Sequence, residues 1–233
     1  SKKDYFWRVN LTGDRTRQKI TELSVGAFLV GPSEGTSNTQ IFRIAKGEPF
    51  GVIYGSKWIK TAAQLQKTID AGKLTGTAAK YTKNEEGFFV DTAKYHTVNE
   101  APLKYFECTT LTGAVCTASQ SVVQIGDVNP DFNMGLSTTA QWKDVSLNAT
   151  FTWVKGGNIY NYPRQWPFNE LRDAVIDQSG KPAATAAGGA PCPAITTDAR
   201  CPYLTGKKPT TYYSTFYNNF DPNDYFVEDG SFM

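Results

Sequence analysis

Few residues in this chain are placed to do covalent chemistry. His96 is the sole histidine and stands in KYHTVNE, a loop-like stretch where it is expected to be an ordinary surface residue. There is no H-E-x-x-H, no G-x-S-x-G and no Cys/His arrangement with a credible base. The run Gly51-x-x-x-Gly55-Ser56-Lys57 lacks the G-x-x-x-x-G-K-[ST] spacing whose backbone N–H groups cradle a phosphate, which excludes that site. Four cysteines fall in two close pairs, Cys108/Cys116 in CTTLTGAVC and Cys192/Cys201 in CPAITTDARC. Neither pair has C-x-x-C spacing, which with a single histidine argues against zinc. Two local disulfides stapling two exposed loops in an oxidising compartment are the expected arrangement. Other pairings stay open, as do four free thiols. The N-x-T sequons at Asn10 and Asn148 fall inside expected strands and are read as chance. The sequence points away from an enzyme, and no cofactor or metal is expected.

The elements that carry these residues are mostly strands. Aromatic residues make up 13% of the 233, and 20 Gly and 12 Pro punctuate the chain, a balance that favours β structure and turns. A net charge of +2 gives no electrostatic case for nucleic acid. No apolar run approaches the ~20 residues of a transmembrane helix, so any membrane role falls to strands. No signal peptide opens the chain at Ser1; it is expected to have been removed, or the chain to be an internal piece.

The clearest pattern lies in residues 130–160, where two runs of strict alternation meet at Lys143-Asp144. Phe132, Met134, Leu136, Thr138, Ala140 and Trp142 share one face, as do Val145, Leu147, Ala149, Phe151 and Trp153. Period two around a polar turn predicts a β-hairpin. The intervening positions are small and uncharged, whereas the solvent side of a soluble strand usually carries long charged residues. Eleven residues at about 3.4 Å each span roughly 37 Å, which a tilt near 40° reduces to about 28 Å, close to the apolar thickness of a bilayer. Trp142 and Trp153 would then sit near the two interfaces. Tyr5, Trp7, Val9 and Leu11 alternate in the same way and predict a further strand, with Arg8 on its opposite face.

Three segments together resemble a known family. NPDFNMGLSTTAQWKDVSLNATFTWVKGGNIYN is similar to the late-barrel hairpin of the SusC/RagA-type, TonB-linked outer-membrane transporters. IFRIAKGEPFGVIYGSKWI (residues 41–59) looks like that family's G-x-P-x-G-x-x-Y-G segment, and DYFVEDGSFM (residues 224–233) like its V-E-D-G-S-F lead into the next strand. The resemblance implies an all-β chain forming part of a 22-stranded antiparallel transmembrane β-barrel with long external loops. It divides the chain into a barrel strand and its extension (1–30), a long external loop with a short helix near 61–72 (31–129), the barrel hairpin (130–160), a second external loop (161–229) and the start of another strand (230–233); the residues themselves suggest a short helix around 170–177. The helix at 61–72 is expected independently, from a Thr61 cap, a Leu65/Ile69 face and a Gly72 stop.

The function implied is active import of large nutrients, glycans or peptides, at the bacterial outer membrane, with the loops extracellular. The partners implied are the TonB complex, a surface lipoprotein lid, an oligosaccharide or peptide substrate and the lipid bilayer. Tyr5, Trp7, Trp142, Phe151 and Trp153 would face lipid, and Tyr160, Tyr162, Trp166, Tyr212, Tyr213 and Tyr217 are loop aromatics that could stack on a ligand, though packing among themselves is the simpler role for most. Three strands cannot close a barrel, so transport would need a plug, a TonB-contacting segment and the remaining strands. Many relatives carry an acidic, glycine-rich stretch before the NP motif, suited to a hard cation. Here only Asp127 and Asp131 remain, and no metal site is expected. The competing reading is a secreted or cell-surface β-rich binding or structural module with disulfide-stapled loops, in which the same aromatics form a protein core.

Overall fold

Side-chain alternation sustained over ten or more residues gives three long strands; everything between them folds from short ones. The computed structural model describes residues 5–31, 33–34, 37–38, 40–95, 99–113, 115–177, 208, 210–217 and 221–233. Among these the chain is mostly strand with a few short helices, all-β in character.

The first long strand is β1 (Tyr5–Asp14). A first excursion follows, made of β2 (Phe28–Val30), β3 (Ser33–Glu34), β4 (Ser37–Asn38), β5 (Phe42–Ile44), β6 (Val52–Ser56), α1 (Ala62–Asp70), β7 (Tyr81–Lys83), β8 (Phe89–Asp91), β9 (Glu107–Thr112), β10 (Val115–Gln120) and β11 (Val122–Asp127). The hairpin is β12 (Pro130–Trp142) and β13 (Val145–Gly156). The second excursion holds β14 (Asn158–Tyr160), α2 (Tyr162–Asn169), α3 (Thr210–Tyr217) and β15 (Val227–Asp229).

β1, β12 and β13 form one antiparallel sheet in that order. Tyr5 lies opposite Trp142 and Asp14 opposite Asn133; across the hairpin Trp142 pairs with Val145 and Met134 with Trp153. The connection is the two residues Lys143 and Asp144, with Lys143 at φ +53°. On the far side of β13, Phe232 bridges Val154 in antiparallel sense, their N–H groups donating reciprocally at 2.9 and 3.0 Å. The chain therefore returns after the second excursion to the strand next to the one it left. Among the described residues the sheet does not close into a barrel.

The first excursion is more ordered than its sequence reads. A four-stranded sheet, β11-β6-β5-β2, occupies a region where alternation is too short to register. Its central strand β6 is buried on both sides, and such a strand shows no period-two signal. Gly55 in β6 has a definite cause: a Cβ there would lie 2.3 Å from the Pro222 carbonyl oxygen of the second excursion. α1 forms where expected, with Thr61 and Gln64 closing a capping box, Leu65 buried and Gly72 at φ +68°.

The second excursion corrects one expectation. The helix foreseen around residues 170–177 is instead α2, and only a 3-10 turn at Ala174–Ile176 falls in that range. Asn161 caps α2 by accepting from the Arg164 N–H, and Pro163 sits in the first turn, where its missing N–H costs nothing. α3 has no counterpart in the sequence reading. Two cores result. Trp58, Phe88, Phe168, Tyr212, Tyr213, Phe216 and Phe226 form an aromatic one spanning both excursions, and Ile59, Leu65, Tyr81, Tyr105 and Val123 form a smaller one within the first.

Candidate membrane-facing sheet and aromatic loop core

The register of the long sheet stacks its apolar side chains into rows across all three strands. Tyr5, Trp142 and Val145 form the row nearest the turn; then come Trp7, Ala140 and Leu147; Val9, Thr138 and Ala149; Leu11, Leu136 and Phe151; and Gly13, Met134 and Trp153. Among the described residues no other element covers this face. Exposure of the five expected lipid-facing aromatics runs from 41% at Trp153 to 72% at Trp7. The single hydroxyl in the middle of the face, on Thr138, accepts from the Trp7 indole N–H at 2.9 Å. Phe132 meets Trp153 edge to face, with ring centroids 5.2 Å apart.

The opposite face is polar. Asn10, Ser137 and Thr150 occupy it in register, the Arg8 guanidinium stacks on Phe6, and Asn133 donates to Asp14 at 3.0 Å. The two ends also differ: one carries the two-residue turn, the other gives rise to both excursions.

The three segments that carry the family resemblance meet at that second end. Asn129 Nδ2 donates to the Phe50 carbonyl at 2.7 Å and to Asp127, and Asn129 Oδ1 accepts from Gln18 at 2.9 Å. The Asp127 N–H donates to Asn158 Oδ1 at 3.0 Å, and β14 pairs with β15 so that Asn158 lies opposite Asp229. Asp224 accepts from the Trp58 N–H and pairs with Lys60 at 2.9 Å. Asp127 is thus committed to Asn129 and holds a turn. Ser231 donates to Asp229 from both its hydroxyl and its N–H, and these bonds hold that carboxyl below its ordinary value, the hydroxyl first.

The loop aromatics separate by burial. Tyr212 and Tyr213 are fully buried in the aromatic core, their rings packed against Phe168, Phe216 and each other. Tyr160 is half-buried and donates to Gln165 at 2.7 Å. Tyr162 is half-buried and Trp166 is exposed, both on α2. Burial raises the hydroxyls of Tyr160 and Tyr212 far above the usual tyrosine range and pushes Tyr225 up to about 12. The Tyr217 side chain, His96, Cys192 and Cys201 lie outside the described residues. Cys108 and Cys116 are joined across the β9–β10 hairpin, with Cα atoms 5.8 Å apart.

A polar lock between the excursions has no sequence signal, because its two sides lie more than a hundred residues apart. Lys208 pairs with buried Glu100 at 2.6 Å and with Glu85 at 3.0 Å. Buried Asn84 donates to Glu100 at 3.0 Å and to the Tyr212 hydroxyl at 2.9 Å, and Tyr213 donates to Glu86 at 2.8 Å. A cleft of about 510 Å³ opens between α1 and β11, bordered by Lys57, Gln64, Lys67, Glu107, Gln124 and Asn158.

No protein-family model matches the chain, and no curated protein matches it. Among solved structures it is similar to one described as "Structure of the RagAB peptide transporter", at 15% identity and a TM-score of 0.43. That match covers 99% of this chain and 20% of the other, so the chain spans about a fifth of its neighbour's length.

Proposed function

We propose that this chain is a section of an outer-membrane importer: part of a barrel wall with two extracellular excursions, serving TonB-driven uptake of glycans or peptides beneath a lipoprotein lid. One observation carries the reading. Among the described residues the sheet presents an apolar face uncovered by any other element, with aromatics at both ends, and the reverse face carries Asn10, Ser137 and Thr150 at its middle, flanked by the Thr12 row on one side and the Arg8 row on the other. In water such a face would drive association; in a bilayer it is matched to its surroundings. A short turn at one end and long excursions at the other fit the periplasmic and extracellular ends of a barrel, and the Phe232–Val154 bridge fits its continuation. In this role no residue acts as a catalyst. The chain binds and conducts, and exposed Trp166 is the loop aromatic best placed to meet a ligand.

The secreted-module reading requires Trp7, Trp142 and Trp153 in a protein core, and they are exposed. Tryptophan quenching by brominated phospholipids separates the two. In the native full-length polypeptide, Trp142→Phe and Trp7→Phe should each remove a lipid-quenched component, whereas Trp58→Phe should not. Recovery of the native polypeptide from the soluble fraction without detergent, its tryptophans untouched by lipid bromine, would overturn the proposal.

A further inference from the structure

Where the apolar face meets the excursions, one row changes character. Above Gly13, Met134 and Trp153, the register places Phe132 opposite Lys155, and continuing the β1 register beyond Gly13–Met134 brings Arg15 to the other side of Phe132. Arg15 and Lys155 occupy the parity of the apolar face, not of the polar one. Both are exposed, and neither forms an ion pair with a described residue. Asp229, whose carboxyl feels the field of Lys155, is already engaged by Ser231. Arg15 also borders a second hollow, together with Arg17, Asp127 and Asp131, whereas Arg17 does not line the groove beside Gly13.

Directly beside Arg15 lies an apolar groove of about 360 Å³, lined by Gly13, Asp14, Arg15, Phe132, Asn133 and Met134. The groove exists because residue 13 has no side chain. Nothing in the backbone demands glycine there: its φ is not positive, and a Cβ would meet only the Asn133 carbonyl, at 3.8 Å. Gly135, one row away, is different, since a Cβ there would meet the Thr12 hydroxyl at 2.6 Å.

We infer that this corner is a binding site for an anionic, phosphate-bearing lipid, its acyl chain lying in the Gly13 groove and its phosphate held between Arg15 and Lys155. The inference rests on the membrane-facing reading of the sheet. Neighbouring strands lie about 4.8 Å apart, so the two cations flank Phe132 across roughly 10 Å, a span that one phosphorylated headgroup fills. Long basic side chains at the end of an apolar band extend toward the headgroup layer while their stems stay against apolar surface.

The test is native mass spectrometry of the full-length protein released from detergent micelles containing phosphatidylglycerol or phosphatidylcholine. The wild type should retain phosphatidylglycerol preferentially. Arg15→Gln and Lys155→Gln should each lower that preference about fivefold, the effect of one basic residue at an anionic surface. Gly13→Leu, which the backbone accommodates, should reduce retention of both lipids. Inorganic phosphate should not displace the lipid; displacement would mean a free-anion site and overturn the inference. Equal retention of the two lipids by the wild type, or a preference that survives both substitutions, would also overturn it while leaving the membrane reading intact. Retention of neither lipid by a protein soluble without detergent would remove both.

Discussion

The Trp7 indole N–H donates to the Thr138 hydroxyl at 2.9 Å, diagonally across β1 and β12, in the middle of an otherwise apolar face. In the proposed lipid setting each group satisfies the other where no water is available to do so. Thr138→Val keeps the shape but leaves the indole unpaired, and should destabilise the sheet by about 0.5–1 kcal/mol. Trp7→Phe combined with Thr138→Val should lose less than the sum of the single changes. Urea unfolding of bilayer-inserted protein provides the measurement.

The two faces of β13 give a paired prediction. Ala149 sits in the central apolar row and Asn148 on the reverse face. Ala149→Arg should cost about 2–4 kcal/mol of folding stability in a bilayer, the penalty of a cation at the midplane. Asn148→Arg should cost less than about 1 kcal/mol. Equal penalties would mean that the faces are not distinguished by lipid.

Lys208 and Glu100 are both almost wholly buried. Replacing the lysine removes the cation beside the buried Glu100 carboxylate, to which Asn84 still donates, so Lys208→Met should destabilise the contact between the excursions by up to about 3–5 kcal/mol. Adding Glu100→Gln should restore part of that loss. Hydrogen exchange at β7, β8 and α3 should report the loosening, while β12 and β13 stay protected.

Alkali should loosen the same core. Tyr225 is raised to about 12, and burial raises Tyr160 and Tyr212 in the same direction, against a value near 10 in the unfolded chain. A folded-state value above the unfolded one contributes stability that is intact below pH ~10 and lost as pH climbs toward ~12. Tyrosinate absorbance should therefore show a late-ionising group of hydroxyls appearing together with loss of near-ultraviolet dichroism. Tyr225→Phe should remove its share of that late group.

The long sheet was legible because its alternation is long, uncharged and aromatic-ended; the pairing of Tyr5 with Trp142 was not, since a shift of two residues would leave the same side chains on each face. α1 was legible from Thr61, Leu65 and Gly72. The four-stranded sheet was not, since strands of three to six residues leave no period and β6 is apolar on both sides. Tyr212 and Tyr213 read as possible ligand platforms because a run of tyrosines in a loop says nothing about what folds over it. The Lys208–Glu100 pair could not be read at all, because charge complementarity at such separation is visible only after folding.

Gly55 lets the Pro222 segment lie directly on β6, and Ser56 N–H donates to the Pro222 carbonyl at 2.8 Å, so a strand of the first excursion is bound to backbone of the second. With the Lys208 contacts, this ties the described parts of the two excursions to each other above the sheet, which they join at four short chain crossings, at residues 14–15, 129–130, 156–157 and 229–230. A displacement of one described part is resisted by its contacts with the other, and a pull on either is shared through those crossings among all three strands.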